Sequence, residues 1–185
     1  MESELHPVDP TKRKRPVLVL ATLHQFQGPR FSGFVEDASY GVLVEQCIRV
    51  REIEFVFEEA GKDHGPSIAE ERSQAILGAA HYVNLDCSQD KFRKFGIAGT
   101  ETEISHWIDD QDKARGKYSC QDVGEHKNRE VQWLEEIQKQ QFEKALVICG
   151  VGHGLSLSFR LQPQFTVELV TYLPHEKLCT RPHAE

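Results

Sequence analysis

The sequence predicts a single-domain α/β sandwich with a mainly parallel β-sheet flanked by helices. Three observations predict it. Short, largely apolar runs stand at residues 17–23, 53–57 and 145–149, the last uninterrupted, the pattern of strands covered on both faces rather than strands with one wet face. Longer stretches between them repeat apolar residues at helical spacing. The resulting alternation of strand and helix calls for a parallel sheet joined by right-handed crossovers. At 185 residues the chain suits one such domain. We place the domain at residues 17–173, with a flexible N-terminal tail (1–16) and a polar C-terminal tail (174–185).

The elements follow in order. The basic run Lys12-Arg13-Lys14-Arg15 belongs to the tail and reads as solvated. Residues 17–23 are too few for a membrane span and lack a small-residue cleavage pattern, so they read as the first buried strand. A loop after His24 carries turns at Gly28-Pro29 and Gly33. Tyr40, Val44, Cys47 and Ile48 then form one stripe of a helix over residues 39–51. A second strand, 53–57, runs into Glu58-Glu59. Pro66 and Ser67 suit the start of a packing helix over 67–79. Residues 81–85 form a third strand ending at Asp86, and 91–97 have no assignable character. The polar stretch 98–127 reads as a surface excursion over the sheet edge. Val131, Leu134, Ile137 and Trp133 give residues 128–144 an apolar side. That helix leads into the buried strand 145–149, the glycine-rich segment Gly150-Val-Gly-His-Gly154, an apolar helical stretch to Leu161, and a last strand over 165–173.

Composition excludes several function classes. With 39% hydrophobic and 28% charged residues the chain is globular rather than disordered. A net charge of −7 argues against nucleic acid or an anionic membrane as partner, since both need a concentrated positive field. The expected partner is a small-molecule substrate or ligand, and the composition also allows a homo-oligomer. Five cysteines, odd in number and without CxxC pairing, point to a reducing cytoplasm. Cys47 and Cys149 read as small core residues.

Parallel strands would bring His24, Glu58, Asp86 and His153, each just past a strand's carboxyl end, to one edge of the sheet, where open α/β folds bind their ligands. Glu59 is the alternative to Glu58. Two imidazoles and two carboxylates suit either a divalent metal or general acid/base work. The three glycines around His153 imply a ring projecting from the sheet edge, whose loss would cost the fold no more than about 1 kcal/mol. The histidines His64, His81, His106 and His126 read as surface or packing residues.

Ala21-Thr-Leu-His24 and Gly150-Val-Gly-His153 resemble the paired GxxH motifs of the superfamily that joins erythromycin esterases, haem-binding ChaN-like proteins, TraB and the TIKI proteases, with Ala21 in place of the first glycine. Phe57-Glu58-Glu59 and Asn128-Arg129-Glu130, followed by Trp133, resemble that family's glutamate and Arg-Glu elements in the same order. The chain looks closest to small bacterial members. The resemblance implies a hydrolase acting on a small ester or amide. His24, Glu58 and His153 would serve as bases or ligands, and Arg129 as a cation for a carboxylate or oxyanion. A merely structural reading pairs Arg129 with Glu58 to neutralise a buried acid. The alternatives to hydrolysis are a non-catalytic binder of haem or another small ligand, and, from Gly150, Gly152 and Gly154 at a strand–helix turn, a phosphate or nucleotide binder.

Overall fold

The computed structural model of the protein describes residues 13–28, 37–60, 65–85 and 122–173. Within them the apolar runs form five strands: β1 (Arg15–Thr22), β2 (Phe55–Glu58), β3 (Tyr82–Asn84), β4 (Ala145–Gly150) and β5 (Phe165–Tyr172). The helices are α1 (Ala38–Val50), α2 (Ile68–Leu77), α3 (Asp122–Lys139) and α4 (Val151–Leu161). The strand order is β3-β2-β4-β1-β5, and every strand pair among the described residues is parallel. β4, the middle strand, is buried at all six positions. No helix of the described residues is long and apolar enough to cross a membrane.

The two-residue period of the strands divides the core into two layers. Val17, Val19, Phe55, Phe57, Val147 and Cys149 face Trp133 and Ile137 of α3 and Leu157 and Leu161 of α4. On the other face, Leu18, Leu20, Val56, Leu146 and Ile148 meet Tyr40, Val44 and Ile48 of α1 and Ala69 of α2. Side-chain caps start the two helices of that second face. Asp37 accepts from the Ser39 N–H at 3.0 Å, and Ser67 accepts from that of Glu70 at 2.9 Å.

This topology positions the site. The chain leaves β1 through α1 toward β2 on one face, and leaves β4 through α4 toward β5 on the other, although β1 and β4 are neighbours. Their carboxyl ends therefore flank a switch point, where the flanking connections part and open a crevice.

Several boundaries differ from expectation. β1 starts at Arg15, so the basic run is not wholly tail. The Arg15 guanidinium lies 4.2 Å from the Phe142 ring centroid and donates to the Gln140 and Phe142 carbonyls. α3 begins at Asp122 instead of residue 128 and ends at Lys139. α4 begins directly at Val151, so Gly152 and Gly154 are helical and no separate turn intervenes. The stretches 86–97 and 98–121, with Asp86, lie outside the described residues, as do His64, His106 and the tails 1–12 and 174–185.

Gly154 shows how closely α4 approaches the sheet. A Cβ there would stand 2.6 Å from the Ala21 Cβ on β1, well inside van der Waals contact, and neither backbone is free to yield. Gly154→Ala is expected to destabilise the fold by about 1–3 kcal/mol, overriding the better helix propensity of alanine. The double variant Ala21→Gly/Gly154→Ala should recover at least half of that loss in urea unfolding. Two losses that simply add would show that this contact does not set the helix–sheet distance.

Candidate functional site

The sheet edge collects a charged cluster around one carboxylate, that of Glu59. Its backbone N–H donates to the Ile148 carbonyl at 2.8 Å, extending the β2–β4 ladder by one residue. The two-residue period then turns its side chain to the face of Phe55 and Phe57, beneath α3 and α4. There Gly150 N–H, at the start of α4, donates to Oε2 at 2.8 Å. Oε1 meets the Arg129 guanidinium at 3.0 Å and stands 3.7 Å from Nε2 of both His24 and His153.

Each imidazole is held from behind. His24, in the 3-10 turn His24–Phe26, uses Nδ1 as donor to Gln27 Oε1 at 2.7 Å. His153, in the first turn of α4, uses Nδ1 toward Glu130 Oε1 at 3.1 Å and packs edge-on against Trp133, with ring centroids 4.7 Å apart. With both Nδ1 atoms engaged, Nε2 of each ring is turned toward Glu59. Glu130 is fixed in turn by the Ser156 hydroxyl and by Arg160 Nε at 2.6 Å.

Electrostatics follow from these contacts. Burial by itself would raise the Glu59 pKa, but the charges of His24, His153 and Arg129 and the Gly150 N–H outweigh it and hold the carboxyl down to about 2. For Glu130, burial is again opposed, by hydrogen bonds from His153, Ser156 and Arg160, and its carboxyl lies below the usual value. The α4 N-terminus adds a favourable partial charge beside Glu59. Gly150 leaves room for the imidazole: a Cβ there would lie 2.5 Å from His24 Nε2, so the ring would have to shift.

His24, His153 and Arg129 thus converge as expected, but around Glu59 and not Glu58. Glu58 lies one residue earlier and faces α2, where its Oε2 accepts from the Ser67 hydroxyl and from Tyr82 OH at 2.8 Å. The pairing of Arg129 expected with Glu58 is made with Glu59. His153 does not project from the edge. It is 3% exposed, because α4 starts without a turn and its first turn faces α3. His24 is the open member, its side chain 29% exposed. His81 is a surface histidine whose ring bonds the Glu54 carbonyl at 2.9 Å. Gln27, Ser156 and Arg160 were not singled out in the sequence. None belongs to a spaced motif, and only the fold brings them to the imidazoles and Glu130.

The guanidinium occupies the oxygen that both imidazoles face, so a divalent ion there would sit against a fixed positive charge. As arranged, the residues do not fit a metal, and no three His, Cys, Asp or Glu side chains among the described residues are grouped to hold one. A cleft of about 340 Å³ lies at the opposite, amino-terminal edge of the sheet, bordered by Val50, Ile53 and Ala145, away from these groups. Comparison of the chain with protein-family models, curated proteins and solved structures returned no match.

Glu59 gives the site a pH signature. A carboxyl held near 2 in the fold against about 4.3 when unfolded contributes stability present above pH 4.3 and lost as pH falls toward 2. Urea unfolding should therefore show Glu59→Gln well below the parent at neutral pH, with the gap closing between about pH 4.5 and 2. A gap that stays constant with pH would show that Glu59 is not ionised in the fold. His153→Ala should cost roughly 2–4 kcal/mol rather than the small loss expected for an exposed ring, since it also strips Glu130 of a buried donor.

Proposed function

We infer that the protein is a hydrolase of small esters or amides that uses His24 to activate water at the carboxyl edge of the sheet. One observation carries this reading: two imidazoles turn Nε2 toward the same buried carboxylate oxygen, at equal distances of 3.7 Å, with both Nδ1 atoms already engaged. A neutral ring so held is a base whose protonated form is stabilised where it arises. The meeting of both His-bearing motifs, the acidic strand end and the Arg129-Glu130 pair at one place supports the same reading, in line with the superfamily resemblance.

The chemistry runs as follows. His24, the partly exposed imidazole of the two, takes a proton from water at Nε2 as the oxygen attacks the substrate carbonyl carbon. The new imidazolium is paired with Glu59, a charge interaction worth roughly 4 kcal/mol at this range in a partly wet site. Arg129, anchored on Glu59, is the cation beside the developing oxyanion. Collapse of the tetrahedral intermediate expels alkoxide or amine, which takes the proton back from His24 Nε2. His153 stays within the protein and acts through Glu59 as a positioning residue. Glu58 serves the fold through Ser67, the N-cap of α2.

A metal-assisted version of the same hydrolysis would recruit His24, His153 and Glu59 as ligands once Arg129 had swung off the carboxylate, so the experiment includes metal analysis. Purified protein is screened against small carboxyl esters, amides and phosphate esters, with and without chelator. His24→Ala and Glu59→Gln are expected to lower the rate about 10²-fold to 10⁴-fold, whereas Glu58→Gln lowers stability and keeps the rate within a few-fold. Hydrolysis indifferent to His24→Ala and Glu59→Gln would end the reading. Activity that tracks stoichiometric metal and vanishes with chelator would replace the water-activating imidazole with a metal.

A further inference from the structure

We propose that the protein pairs with a second copy of itself through the β5 edge of the sheet. Among the described residues β5 is hydrogen-bonded on one side only, to β1 along its whole length. Its sequence, Phe-Thr-Val-Glu-Leu-Val-Thr-Tyr, has no proline or lysine and a single charge, so it lacks the devices with which proteins blunt a bare edge.

The helices on either side of β5 direct apolar residues the same way. On α4 the side toward α3 is marked by His153, Ser156 and Arg160, all bonded to Glu130. Val151, Leu155 and Phe159 run along the flank turned from α3 and stay 39%, 62% and 61% exposed. Leu169 of β5 continues this stripe, since its Cδ1 would lie 3.5 Å from a Cβ on Gly154. On the opposite face, α1 meets α2 through Glu45 and Arg72. Val50, on the flank turned from that pair, is 75% exposed.

A second copy fits this surface because the surface is self-complementary. A twofold axis perpendicular to the sheet joins two β5 strands antiparallel and keeps each face on its own side, so α4 meets α4. Residues facing each other across the axis must then point to the same face. The register that places Leu169 opposite Leu169 of the second copy sets Glu168 against Val170. Of the two neighbouring allowed registers, the one centred on Val170 sets Glu168 against Tyr172, and the one centred on Glu168 sets against each other two carboxylates that are each ion-paired with Arg51 at 2.8 Å. Seven paired residues, 166–172, give a strip about 24 Å long. Across three layers roughly 25 Å deep, its footprint of about 600 Å² is three quarters of the 800 Å² or so that each partner contributes to a stable interface.

The test is the mass of the full chain in solution by light scattering and sedimentation at micromolar concentration. The expected species has twice the 21.1 kDa chain mass. Leu169→Lys, which sets like charges against each other across the axis, and Phe159→Glu should each weaken association roughly a hundredfold. Both positions are exposed, so circular dichroism should stay parental; if one variant fails to fold, the other decides. A monomeric parent overturns the proposal, as does a dimer that both variants leave intact. Hydrogen exchange showing residues 165–172 protected on both edges in a monomer would assign the edge to another segment of this chain and overturn it equally.

Discussion

A carboxylate taken out of water at the edge of a sheet has to be compensated where it stands, or it costs the fold several kcal/mol. Glu59 meets this requirement with groups from four separate elements: the turn after β1, α3, the end of β4 and the start of α4. The same contacts dock the helices. Arg129 ties α3 to the sheet edge, and Glu130, the next residue, ties α3 to α4 through His153, Ser156 and Arg160. Local architecture and charge balance are therefore one arrangement. Removing Arg129 or His153 weakens the compensation of a buried charge and loosens a helix together with it.

Much of this was legible in the residues. A strand buried on both faces must be apolar throughout, so β1, β2 and β4 announce themselves, and helical spacing marks α1, α2 and α3. The edge at which His24 and His153 meet follows from parallel strands alone. The choice between Glu58 and Glu59 was not legible. Alternation along β2 says that the two point to opposite faces, but not which helices cover each face. That depends on strand order: α1 and α4 fall on opposite faces because the chain moves one way from β1 and the other from β4. Strand order is a non-local property, and no window of sequence carries it.

The glycines were read as makers of a turn, and their role is different. Gly150 and Gly154 have ordinary backbone conformations and are small because something else needs the space: the His24 ring in one case and the β1 backbone with Ala21 in the other. With no turn between strand and helix, His153 enters the first turn of α4 and is carried inward against Trp133. Apparent flexibility in the sequence corresponds here to close packing.

The placement of β1 also bears on how the chain reaches this fold. β1 comes early in the sequence, yet both of its partners come late: Val17 is matched with Ala145 on one side and Val167 on the other. During synthesis its hydrogen-bonding edges remain unsatisfied until almost all of the described chain has emerged. Only the short β2–β3 pair can form before then. Such non-local pairing slows folding and lengthens the interval in which an apolar strand is exposed. The N-terminal half is thus the part of the nascent chain most in need of shielding, and closure of the sheet by β4 is the event that ends that need.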